Sequence, residues 1–169
     1  YGYNEVEYFP KEYFDPEEQI LMQASCALFL LTRPYKFRGH TYMDAGLVDM
    51  IPIEQSIRQG NTKHVFISTK EENYVRKPAP GWQIQLAKLM YPGNKTIREN
   101  LKIRHINYQK QWQIVKELEE QGNAIVLRPS ADYGVTRYTH DKELLGRWFD
   151  LGYEDTKNRL DMIREFMEK

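Results

Sequence analysis

The order of patterns along the chain predicts an α/β fold. Three observations carry the prediction. Two short apolar runs, "HVFIS" and "AIVL", are each preceded by a Gly-Asn pair that ends a helical pattern. A long stretch with apolar residues at helical spacing lies between them. Strand, helix, strand, helices, strand, helices then follow in that order, which is the alternation of an α/β protein.

Taken in order, "EVEYF" alternates apolar and polar residues and predicts a strand near 4–9, stopped by Pro10. After Asp15-Pro16 the apolar run from Ile20 to Leu31 predicts one largely buried helix or two short pieces. It is only about 12 residues, against the ~20 that a membrane span needs. Within it Ser25 and Cys26 are expected to be packed and inert. "YKFRGHTYMD" reads as a hairpin turning at Arg38-Gly39-His40. Pro52 suits the first turn of a helix with Ile53 and Ile57 on one side, ended by Gly60-Asn61. A central strand is expected over 64–69. "KEENYVRKPAPG" is the linker candidate.

The second half is expected to be helix-rich. Ile97, Leu101, Tyr108, Trp112 and Val115 predict a long amphipathic helix to about Gln121, stopped by Gly122-Asn123. A buried strand over 123–129 follows. Thr139 is a candidate cap for the next helix, with Asp141 and Glu143 in its first turn. Tyr153, Leu160, Ile163 and Met167 predict a last amphipathic helix.

Composition narrows the chemistry. The 169 residues are 41% hydrophobic and 13% aromatic, enough for a sizeable core. Lys+Arg and Asp+Glu balance at 24 each, which argues against electrostatic nucleic-acid binding. The basic residues between Lys102 and Lys116 interleave with aromatics at core spacing, so they read as a solvated face. One cysteine excludes an internal disulfide and a four-cysteine metal site. The four histidines are scattered and form no zinc motif, and no glycine-rich phosphate loop occurs, so neither a metal nor a cofactor is expected. None of the four serines lies in G-x-S-x-G.

The acids remain. In "YMDAGLVDMIPIEQSIRQGN", Asp44 follows the hairpin and precedes the small residues Ala45 and Gly46. Small neighbours let backbone and substrate approach a carboxylate, which could then take a proton from a hydroxyl. Asp49, three residues before Pro52, reads instead as a polar tie holding the turn.

The span from Ala24-Ser25 through the Tyr35–Tyr42 hairpin, Asp44-Ala45-Gly46, Asp49, Ile51-Pro52 and Gly60 to the strand from Val65 to Thr69 resembles the second half of the patatin-like phospholipase domain. "NYQKQWQIVKELEEQGNAIVLRPS" and "THDKELLGRWFDLGYEDTKN" resemble the C-terminal extension of a bacterial subgroup of that family. The resemblance implies residues 1–77 as the C-terminal part of an acyl hydrolase domain, and 78–169 as a helix-rich extension with one strand. It implies part of a three-layer α/β/α sandwich, and lipid or ester hydrolysis by a Ser–Asp dyad with Asp44 as base. Ala45, Gly46, Asp49 and Pro52 would support the turn.

The family's serine motif and oxyanion loop have no counterpart here. The chain, which opens on Tyr1, is therefore expected to be a fragment of a larger enzyme. The family usually has glycine where Ala45 stands. If that position needs a positive φ, alanine costs about 1–2 kcal/mol. The resemblance further implies a cytoplasmic or membrane-peripheral protein, and an exposed sheet edge is expected to favour self-association. The competing reading is a non-catalytic α/β interaction or scaffold domain that keeps the turn for structure.

Overall fold

The computed structural model describes residues 5–13, 19–29, 31–136 and 138–168. Helices and two small sheets alternate along it, in keeping with an α/β fold. The chain forms two compact units. The first is Tyr1–Pro52 with Arg76–Gln111, and the second is Ile53–Val75 with Trp112–Lys169. Each therefore draws residues from both sides of position 77.

In the first unit, α1 (Ile20–Ser25) has six residues and ends well before Leu31. The hairpin β1 (Tyr35–Phe37) and β2 (His40–Tyr42) closes on a two-residue turn, with Phe37 opposite His40. Arg38 and Gly39 both have positive φ, +48° and +80°, which gives the turn the twist that antiparallel strands prefer. The Arg38 guanidinium lies 4.4 Å from the Tyr13 ring centroid, a cation–π contact that offsets part of the backbone cost of a non-glycine residue there.

The unit's core gathers Leu47, Ala87, Ile97 and Leu101. Ala87 comes from α3 (Gly81–Met90), and Ile97 and Leu101 from α4 (Lys95–Glu120). Asn94 starts α4 by accepting a hydrogen bond from the Ile97 N–H at 3.2 Å.

The expected strand over 4–9 is not formed across its described residues, 5–9. An isolated segment has no ladder to join, and here its aromatic side chain does the binding. Phe9 stacks edge-on against Phe37 and Tyr42 at 5.7 and 5.5 Å.

In the second unit, α2 (Ile53–Arg58) begins directly after Pro52. Gly60, at φ +83°, lets the Asn61 N–H reach back to the Ser56 carbonyl at 3.3 Å and its own N–H to Ile57 at 2.9 Å. The end of α4 repeats this, with Gly122 at φ +74° and the Asn123 N–H bonded to Leu118 at 2.8 Å. Both are Schellman ends, whose left-handed residue suits glycine.

Each leads towards a strand, β3 (His64–Ile67) and β4 (Ala124–Leu127), which pair in parallel with His64 opposite Ala124. β4 is buried along its length, whereas Val65 and Ile67 of β3 are exposed. The sequence suggests a central strand at β3. Among the described residues it pairs with β4 alone, so its second edge is open.

Two helices end the unit, α5 (Lys142–Lys157) and α6 (Leu160–Glu168). Asp141, not Thr139, caps α5, accepting from the Glu143 and Leu144 N–H groups at 3.0 and 3.1 Å. Thr139 instead accepts from the Thr136 N–H, because it lies two residues too early to reach the first helical turn. The expected last helix is divided, with Tyr153 on α5 and Leu160, Ile163 and Met167 on α6.

Candidate active site

The Asp44 turn belongs to the first unit and is built from short-range bonds. At the end of β2 the Asp44 N–H donates to the Ala27 carbonyl at 3.1 Å, tying the hairpin to the segment after α1. Ala45–Leu47 then forms one turn of 3-10 helix. Asp44 caps it: its Oδ1 accepts from the Gly46 N–H at 2.7 Å. Leu47 is the apolar anchor of the turn, carrying it into the core.

Gly46 is required by close approach. A Cβ there would stand 2.9 Å from Asp44 Oδ1, closer than side chains tolerate. Ala45 is different. It lies in the 3-10 turn and is not among the residues of positive φ, so alanine costs no left-handed strain there.

The two aspartates have different surroundings. Asp49 spends both oxygens: Oδ1 accepts from Gln111 Nε2 at 2.6 Å, and Oδ2 from the Tyr8 hydroxyl. Gln111 also accepts, through Oε1, from the Ile51 N–H at 3.2 Å. One buried glutamine thus clamps the turn just before Pro52. Asp44, half-buried, spends Oδ1 on Gly46, and among the described residues its Oδ2 has no hydrogen bond. An ionised carboxylate is an acceptor on both oxygens, so Asp44 holds one oriented lone-pair site in reserve.

Gln111 is a residue that sequence reasoning missed. It stands at a core position of α4, one turn before Val115, and a polar residue on an apolar stripe was the available signal.

A second feature escaped the pattern of scattered histidines. Ser56 Oγ lies 3.0 Å from Nδ1 of the buried His64, and Asn61 Nδ2 donates to the same hydroxyl at 3.2 Å. Asn61 takes one of the hydroxyl's two lone pairs, and the tautomer of His64 sets which of Ser56 Oγ and Nδ1 donates to the other. Among the described residues no carboxylate hydrogen-bonds His64, so the group closes the α2–β3 connection and lacks the third member of a triad.

Ser25 and Cys26 are exposed, contrary to expectation. The buried positions around the end of α1 are Ala24 and Ala27, which leaves the two residues between them facing out. Among the described residues no group of three or more His, Cys, Asp or Glu could hold a metal ion. No described helix is long and apolar enough to cross a membrane.

Residues 94–168 match the model of a domain of unknown function (DUF6363). The match runs from the start of α4 to the end of α6 and leaves the Asp44 turn outside it. No curated protein and no solved structure matches the chain.

Proposed function

We propose that this chain is part of a patatin-like serine lipid acyl hydrolase and supplies the base of a Ser–Asp dyad, Asp44. The observation that carries the reading is the asymmetry of the Asp44 carboxylate: Oδ1 is held by the Gly46 N–H and Oδ2 is free of hydrogen bonds among the described residues. The order of hairpin, D-A-G, second Asp and I-P supports it.

In this mechanism a serine from a G-x-S-x-G segment outside these residues presents its hydroxyl to Asp44 Oδ2. Oδ2 accepts the proton as the serine oxygen attacks the ester carbonyl, giving a tetrahedral oxyanion. Collapse breaks the C–O bond to the alcohol, which takes the proton from Asp44. Water, deprotonated by the same carboxylate, then releases the acid and restores the serine. Gly46 and the core anchor Leu47 hold the base still between these steps.

On this reading β3 and β4 belong to a larger three-layer α/β/α sandwich, and the open edge of β3 is where further strands or a second copy would join. The substrate is a lipid or ester, and any membrane contact is peripheral.

The alternative is a non-catalytic scaffold. It is favoured by the sufficiency of the Asp44 cap and the Gln111 clamp to build the turn without any substrate. Hydrolysis of p-nitrophenyl butyrate by the complete gene product and its Asp44→Asn variant separates the two. Asparagine can still cap Gly46, so the variant should melt like the wild type while its rate falls by about 10²–10⁴-fold, the range for a lost general base. A wild-type rate in a folded variant rejects the assignment. The 169-residue chain alone should be inactive.

A further inference from the structure

The second unit contains a cavity of about 420 Å³ at the carboxyl ends of β3 and β4. Parallel strands commonly place ligands there, and the volume lies in the roughly 300–1,000 Å³ range of small-molecule sites. Ile67 and Leu127 line it from the strands, and Leu145, Trp148 and Phe149 from one face of α5. Ile67 and Phe149 are each about three-quarters exposed, at 73% and 74%, so apolar surface is left open to water. Gly152 continues the same helical face and lines the cavity, and a Cβ built there meets nothing within 4 Å. The space is thus a notch in an otherwise apolar stripe.

Most polar groups of the lining are already committed. Ser68 exchanges hydrogen bonds with the Lys70 backbone, and Asp155 accepts from the Ser130 N–H at 2.8 Å. Thr156 donates to the Gly152 carbonyl, and Arg159 to the Val126 carbonyl. Arg128 is the exception. Its guanidinium sits 5.1 Å from the Trp112 ring centroid, and Nη2 is 3.5 Å from Glu119. Nη1 is buried and has no hydrogen bond among the described residues. Glu72 stands 3.7 Å from Nη1, beyond hydrogen-bond reach, on a side chain that is 74% exposed.

We propose that this cavity binds an apolar-tailed monocarboxylate, its tail along the α5 stripe and its carboxylate on Arg128 Nη1. Glu72 reaches the largely buried Arg128 from an exposed side chain and at 3.7 Å makes no hydrogen bond to it, so it yields to a carboxylate that forms the missing charge-assisted hydrogen bond. Glu119 remains beside the guanidinium, which favours a single negative charge over two. The inference stands apart from ester hydrolysis, because its residues are all in this chain and its test reads binding alone.

Isothermal titration calorimetry on the chain with decanoate, 1-decanol and decyltrimethylammonium, each below its micelle concentration, tests it. Decanoate should bind one to one and at least tenfold more tightly than decanol, with no binding of the cation. Arg128→Gln should reduce decanoate to the affinity of decanol, and Glu72→Gln should tighten decanoate. Gly152→Leu fills the notch, so it should abolish binding of both while melting no lower than wild type. If Arg128→Gln does not fold, the other two variants decide. Equal affinities for decanoate and decanol, or unchanged binding in Gly152→Leu, overturn the proposal.

Discussion

Replacing Gln111 by leucine removes both halves of the clamp at once. The charge-assisted bond to Asp49 is worth about 1.5–3 kcal/mol, and a buried N–H left without an acceptor costs about 1–3 kcal/mol. Asp49 is half-buried and keeps Tyr8, so water recovers part of the first loss. Ile51 is 2% exposed, so the second stands nearly in full. Gln111→Leu should therefore cost about 2–4 kcal/mol, a large share of the roughly 5–15 kcal/mol that holds a domain folded.

Urea unfolding followed by tryptophan fluorescence measures it as a lower midpoint at unchanged slope. Gln111→Glu supplies an acceptor for Ile51 but opposes a second carboxylate to Asp49. It should be destabilised at pH 7 and recover on acidification, as one proton comes to be shared. A Gln111→Leu midpoint equivalent to less than about 0.5 kcal/mol would mean the clamp contributes nothing beyond an ordinary surface contact.

Two other measurements follow from the geometry. Asp141→Ala should cost about 1 kcal/mol through loss of the α5 cap, while Thr139→Ala should cost clearly less. The reverse order in thermal melts would return the cap to Thr139. Partial burial and the hydrogen bond from the Tyr42 hydroxyl to Glu7, at 2.5 Å, push the Tyr42 phenol up to about 12 from its usual 10. Because the folded value is the higher one, its contribution to stability is complete below pH 10 and is lost as the pH rises through 12. Tyr42→Phe should flatten the alkaline stability profile in that window, and an unchanged profile would place the titration elsewhere.

Features that depend on neighbouring residues were legible in the chain. The hairpin over residues 35–42 and the two Gly-Asn helix ends follow from backbone conformations that few residues adopt. The length of α4 was visible because its apolar spacing is sustained from Ile97 to Val115. The two aspartates differ in their hydrogen bonds, Asp49 being bound on both oxygens and Asp44 on one among the described residues.

Apart from the local misses at the α5 cap and at the break between α5 and α6, what failed needed a distant partner. Residues 5–9 alternate like a strand, but alternation only makes a segment eligible for a sheet, and a ladder must exist for it to join. For β3, apolar content implied a central position, yet its neighbours decide whether its second edge is covered.

By itself, then, the sequence determined local backbone geometry: the turn at Arg38-Gly39, the Schellman ends and the cap on Gly46 each need only residues a few positions apart. Tertiary structure alone decided that Gln111 would bind a turn 62 residues away, and that Arg128 and Gly152 would line one cavity. A hydrogen bond or a cavity between distant segments depends on where folding brings both sides, and no local pattern encodes that distance.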